Sequence, residues 1–492
     1  MTDMTLLLSI LLLSSAPDSL GVVERSEMRQ TSLVQMADKT PSAALLSHFD
    51  SFTSAEVSAD GHSDKRPLLR EEGDGHIEGR LDIATLVRTD SLSTVSGNVK
   101  YSNGIRRNVL WNSSSDYRLI YPYAVADSVG GDLRNELYSF TGGYAFRRGL
   151  WHFGLSGSYR ALQEWRETDP RPRNIVSDLT ASASAGKRIG AGYIIDFSAS
   201  YRRYSQSNDV EFYNPRGANS SVFHLTGLGS HYARFAGTNS STTYTRYAGN
   251  GAGFAVNLLP VCSNGWYASL VYDMLDIIHY LPSQNESPYQ ESVSRKVSFN
   301  GERIAGNWKA GAYAKAGFRS GLEYVLDNGS AGLVQTLMRF AMFSSVDYEA
   351  GLDAALLAGG WRFDANAAFK GFHAQHNYPG RLLQTSGIKA SAGATRTFRS
   401  SRLWFISAQL GAKAYVPFGV EMILPEQYTM PALMDHYETR LQRLQTMVFG
   451  ADAGLHAERQ VTRGMSAFVS AGIYYDSIQS AIYRVTIGLN FL

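Results

Sequence analysis

Tyr483-Arg484-Val485-Thr486-Ile487-Gly488-Leu489-Asn490-Phe491 places apolar side chains on every odd position and polar or small ones on every even position. A strand sends successive side chains to opposite faces, so this stretch presents one face to an apolar medium and the other to a wet one. The question that decides the fold is whether the rest of the chain keeps this rhythm.

It does. Trp151, Phe153, Leu155, Gly157 and Tyr159 alternate with His152, Gly154, Ser156, Ser158 and Arg160. Tyr193, Ile195, Phe197, Ala199 and Tyr201 alternate with Ile194, Asp196, Ser198, Ser200 and Arg202. Trp308, Ala310, Ala312, Ala314, Ala316 and Phe318 oppose Lys309, Gly311, Tyr313, Lys315, Gly317 and Arg319, and the pattern returns at 361–370, 406–416, 447–458 and 467–475. In several of these segments aromatics mark the ends of the apolar face and small residues fill its middle. A membrane-crossing strand takes about 9–11 residues and carries aromatics at both interfaces. Soluble sandwiches also alternate, but with strands of about five or six residues and a charged outward face. The expected fold is therefore all-β: a transmembrane antiparallel up-and-down β-barrel.

Composition agrees. Of 492 residues 44% are hydrophobic and 18% charged, against roughly a quarter charged in soluble domains. The 28 Tyr outnumber the 23 Phe, as suits side chains with an apolar body and a wet tip. No apolar run approaches the roughly 20 residues of a spanning helix, so any crossing is made by strands. Residues 6–13 form an apolar core followed by Ser14 and Ala16, the pattern of a signal peptide over 1–16, although Asp3 stands where a basic residue is expected. The single cysteine, Cys262, excludes an internal disulfide framework. A net charge of +2 gives no reason to expect nucleic acid as a partner.

Short connections at 147–149, 190, 261–264, 305–306, 359–360, 400–401 and 462–463 alternate with longer ones at 166–175, 281–289, 325–336, 377–384 and 417–437. Short periplasmic turns and long external loops are the habit of membrane barrels. The alternation requires 207–246 to be one external excursion, with 222–235 a hairpin inside it. Sixteen strands follow from about Ser93, and segments 52–59 and 77–87 supply two more. The count is eighteen, with sixteen the alternative. The expected organisation is a signal over 1–16, a periplasmic tail or hatch over 17–49, and a barrel over 50–492 with external loops 104–132, 207–246 and 417–437.

Inward positions so assigned make Arg160, Asp196, Arg202, Lys309, Lys315, Arg319, Arg362, Asp364 and Asp452 the lumen-lining candidates. One sign of charge would dominate an ion-selective constriction; this mixture suits mutual pairing that braces the lumen. His373 and His376 fall on opposite faces of a strand and bind a metal only if the chain turns there, with no third ligand near. No catalytic residues, metal ligands or cofactor are expected. A rim hydrolase using Ser and His is an alternative that no ordered motif supports.

The run Asn108-Val-Leu-Trp111-Asn112, Ser115-Asp116-Tyr117, Tyr121-Pro122-Tyr123, Asp127-Ser-Val-Gly-Gly131-Asp132 and Phe140-Thr-Gly-Gly143-Tyr144 resembles an uncharacterised Gram-negative outer-membrane β-barrel family. The resemblance implies the fold and the outer membrane, with its lipids and lipopolysaccharide as surroundings, and assigns no activity. Neighbourhood with TonB-dependent receptors in that family implies a receptor or lipoprotein partner in uptake. Thr40-Pro41-Ser42-Ala43-Ala44-Leu45 is similar, more weakly, to the hatch motif of long-chain fatty-acid transporters, with Thr40 and Ser42 departing from it. The expectation is an occluded barrel contributing to transport across the outer membrane; the alternative is a surface-exposed docking component.

Overall fold

The structure, a computed structural model, describes Thr31 and residues 39–47, 51–190, 192–213, 222–232, 243–261, 264–281, 287–328, 334–399 and 403–491. The expected signal, most of the tail and Cys262 lie outside them. The chain forms β1 Ser51–Asp64, β2 Gly75–Arg88, β3 Ser93–Val109, β4 Val125–Asp127, β5 Gly131–Arg148, β6 Trp151–Trp165, β7 Arg171–Ile189 and β8 Tyr193–Glu211. It continues with β9 Val222–Gly227, β10 Ser230–His231, β11 Tyr244–Pro260, β12 Gly265–Leu281, β13 Ser287–Ala305 and β14 Trp308–Asn328. The remainder is β15 Val334–Ala358, β16 Trp361–His376, β17 Arg381–Arg399, β18 Trp404–Ile423, β19 Val448–Thr462, β20 Met465–Asp476 and β21 Ser480–Phe491.

All of these except β4, β9 and β10 make one eighteen-stranded sheet of sequential antiparallel neighbours. It closes because β1 pairs with β2 on one side and with β21 on the other, from Thr53 opposite Phe491 to Asp64 opposite Ser480. Closure removes every edge, which a sheet in hydrocarbon requires.

The faces are inverted relative to a soluble protein. In β21, Ile487 is 63% exposed, while Thr486 and Asn490 on the opposite face are 4% and 3% exposed. Lys309 faces inward to Glu302 and Asp353, so Trp308 beside it faces outward. We expect Ile487→Lys to destabilise the barrel by about 2–4 kcal/mol in bilayers, read by urea unfolding in lipid. An unchanged midpoint would contradict a hydrocarbon-facing outer surface.

One end of the barrel is made by tight turns. Gly149, Gly306 and Gly359 there have φ of +61°, +60° and +58°, the left-handed conformation that two-residue hairpins demand. The other end carries the insertions 65–74, 110–130, 212–243 and 424–447. Several expected loops are shorter than the rhythm suggested. The strands themselves overrun the apolar band, as in β14 and β15 with 21 and 25 residues. Thus 104–132 contracts to 110–130, and 207–246 to 212–243. The span 417–437 gives way to 424–447, which holds a helix at Pro431–Gln445.

Candidate functional site: the filled lumen

A ring of eighteen strands encloses more space than inward side chains alone can fill. Here the chain's own segments enter from both ends. At the short-turn end lies a 3₁₀ turn, Pro41–Leu46, started by a proline whose fixed φ suits a first helical position. The Ser42 N–H donates to Ser184 Oγ at 2.9 Å and its hydroxyl donates to Asp196. Asn257 donates to Thr40 Oγ1 at 2.7 Å, and Arg88 to the Ser47 carbonyl at 3.1 Å. Ala43 and Leu46 pack on Leu259, Tyr267, Ile304, Ala355 and Leu357. These are inward-facing apolar residues, useful only if something dry covers them. Gly154 permits the close approach: a Cβ there would lie 2.2 Å from the Ser42 nitrogen.

At the opposite end the 110–130 segment folds into the lumen. Asn112, Ser113, Ser114 and Ser115 are each 0% exposed, so their polar groups must find partners. Ser113 O accepts from Asn174 at 2.9 Å and from Asn208 at 2.7 Å. Asn112 donates to Glu71 O at 2.9 Å, and Ser115 to Glu164 at 2.5 Å. Asp127 is the anchor. Its carboxylate takes Arg166 at 3.0 Å and the Ser113 hydroxyl at 2.6 Å, and it accepts the N–H groups of Val129 and Gly130 at 3.0 and 2.6 Å. β4 pairs with β9, and β9 with β10, uniting this segment with the hairpin of the 212–243 insertion. The hairpin expected at 222–235 is present as β9 and β10.

Glu71 joins three insertions. Tyr117 donates to it at 3.0 Å, His436 Nε2 stands 3.3 Å away and Arg440 3.7 Å away. Burial alone would raise this carboxyl. The His436 hydrogen bond and charge, with the charge of Arg440, override that and hold it at about 2. Burial and the Glu71 charge push the Tyr117 phenol well above its ordinary range.

The inward candidates fall into two groups. Arg160 pairs with Asp116 on the inserted segment and with Asp178 on the wall, where it meets Arg202, bound to Asp178 at 2.8 and 2.7 Å. Arg319 donates to the carbonyls of Tyr121 and Arg118 at 2.7 and 2.8 Å, and Asp196 holds Ser42. Arg160, Arg319 and Asp196 thus grip the filling, and Arg202 stands behind them through Asp178. The other five stay on the wall. Lys309 pairs with Glu302 at 2.9 Å, Arg362 with Asp364 at 2.9 Å and Lys413 with Asp452 at 3.0 Å. Lys315 lies 5.3 Å over the Tyr313 ring. β16 runs straight through His376, so His373 and His376 stay on opposite faces; His376 is buried beside Glu323. Asp127, Arg166, Glu71 and Arg440 escaped sequence reading because nothing in a loop's composition says that it folds inward.

Between the filling and the wall a cavity of about 500 Å³ remains, bordered by Arg106, Asp116, Arg160, Glu164, Asp178 and Arg202. Charges of both signs line it, already paired.

A closed membrane-type barrel whose lumen is occupied from both ends by its own chain is thus the class these observations define. The chain belongs to a family of unknown function (DUF6850), whose profile matches residues 41–491 and so takes in the short-turn plug as well as the barrel. No curated protein matches it. Among solved structures it is similar to the ferric preacinetobactin receptor BauA of Acinetobacter baumannii, at 8% identity over 90% of this chain and 80% of that one, TM-score 0.41. It is also similar to the transporter YddB of Escherichia coli, at 7% over 89% and 80%, TM-score 0.42. The unliganded ferric citrate transporter FecA gives 9% over 90% and 79%, TM-score 0.38.

Proposed function

We propose that this protein is a gated outer-membrane conduit for polar solutes, closed at rest by the 40–47 plug at its periplasmic mouth and by the 110–130 lid at its external mouth. The observation that carries the reading is the way the lumen is closed. Both obstructions are separate chain segments, seated on the wall by hydrogen bonds and ion pairs as well as by apolar patches around Leu259 and Tyr247. A permanently solid barrel has no need of a charge-paired wall behind its filling, since buried ion pairs are weak stabilisers compared with apolar packing. With plug and lid both displaced, the barrel would bare a wet, charge-balanced passage suited to polar cargo and unselective by sign.

Liposome swelling with small sugars tests this. The intact protein is expected to swell liposomes barely faster than protein-free controls. Gly154→Leu, which drives a side chain into the plug backbone, and Glu71→Gln, which loosens the lid, should each leave the barrel closed by its other obstruction. Their combination should swell readily. Strong permeability of the intact protein would overturn the closed resting state, and a sealed double variant would overturn the conduit.

A further inference from the structure

Four tryptophans at the short-turn end each face a cation directly across the strand pair: Trp151 with Lys187, Trp266 with Arg303, Trp361 with Arg396, and Trp404 with Arg459. The cationic groups lie 5.2–5.6 Å from the ring centroids, and Arg303 also reaches within 5.8 Å of Trp308. All five tryptophans are outward, at 39–54% exposure. They occupy the same level, the first or second residue of β6, β12, β14, β16 and β18.

None of the four cations forms an ion pair among the described residues, whereas the inward cations Arg160, Arg202, Lys309 and Lys413 all do. The described turn residues at this end contribute a single carboxylate, Asp90, while Arg463 adds another cation. The opposite rim differs: its outward strand positions include Glu136, Asp209, Asp276 and Glu291. The short-turn rim is therefore a one-signed belt of cations, each steadied on an indole face.

We propose that this belt binds the phosphate headgroups of anionic glycerophospholipids in the leaflet at the short-turn end. The inference rests on the membrane-spanning reading. Indole sits at the headgroup level of a bilayer. A Lys or Arg whose stem lies along that ring delivers its charge to the adjoining phosphate plane while its methylenes stay on apolar surface. Arg supplies three of the four cations, and its planar fork matches phosphate oxygens in a bidentate way that Lys cannot. Bracing between strands alone would work with carboxylates present and would not leave all four charges unneutralised.

The test uses the full chain in nanodiscs of phosphatidylethanolamine doped with phosphatidylglycerol, with retained lipid read by native mass spectrometry. Phosphatidylglycerol should be enriched about fivefold over its bulk fraction, the preference expected per surface cation. A variant carrying K187Q, R303Q, R396Q and R459Q should lose that enrichment. R303K, R396K and R459K should keep most of it, which guards against a variant that does not fold. Substituting the outward cations of the other rim, R203Q with R295Q, should change nothing. Equal enrichment in the Gln variant, or none in the unaltered protein, would overturn the proposal. A protein that takes up no lipid in any form would instead refute the membrane reading on which it rests.

Discussion

Asp127→Ala is expected to release the 110–130 lid while leaving the barrel standing. The Arg166 and Asp127 side chains are 1% and 0% exposed. Removing the carboxylate strands a buried guanidinium whose other described contact is the Pro170 carbonyl at 3.3 Å. It also frees Ser113 and two backbone N–H groups. Breaking one partner of a buried pair costs about 3–5 kcal/mol, because the remaining charge is uncompensated. That loss falls on a local unit rather than on the eighteen-stranded ring, so it should appear as local opening. Amides of 110–130 should exchange orders of magnitude faster, and trypsin should reach Arg118, while the mobility shift of the unheated barrel in detergent gels persists. Asp127→Leu combined with Arg166→Met should recover much of the protection, since two apolar residues replace a paired charge at little cost. Unchanged exchange in Asp127→Ala would remove this ion pair from any role in holding the lid.

The second large effect is expected at Glu71, and it depends on pH. The groups facing it are Tyr117 on the inserted segment and His436 and Arg440 on the Pro431–Gln445 helix. Its carboxyl is held at about 2 in the folded lid against an ordinary 4.5. A depressed carboxyl stabilises the state in which it is depressed. The contribution is complete above about pH 4.5 and is lost as pH falls toward 2. Contact between helix and lid, followed by a cysteine cross-link between exposed positions on each, should weaken through that window. Glu71→Gln should weaken it already at neutral pH, by about 3–5 kcal/mol, since the Arg440 guanidinium then lies in a buried pocket without a counter-charge. A Glu71→Gln protein with full cross-linking at neutral pH would show that packing alone seats the helix.

The barrel was legible because hydrocarbon on one side and water on the other impose a period of two along every strand, and the turns between strands impose glycine. Alternation at 483–491 alone distinguishes Ile487 from Thr486. The filling left a fainter trace. Leu259, Ile304 and Leu357 are apolar residues on the wet face near the tight turns, and each is a small violation of the alternation. Read together, they announce a dry occupant. The lid had no such signature. Asn112, Ser113, Ser114 and Ser115 have the composition of a solvated loop, and only their partners Asn174 and Asn208, far along the chain, reveal that they are buried. Side-chain to backbone pairing between distant segments has no periodicity to read. The charged lining was legible as a balance of signs, but not which charges would grip the filling. Arg160 and Arg319 differ from Lys309 only in what enters the lumen beside them.

The small sheet formed by β4, β9 and β10 ties together two insertions that leave the rim at separate points, between β3 and β5 and between β8 and β11. The two insertions thus share one panel. If the proposed conduit opens, neither can swing aside without dragging the other, so opening must act on the whole panel at once.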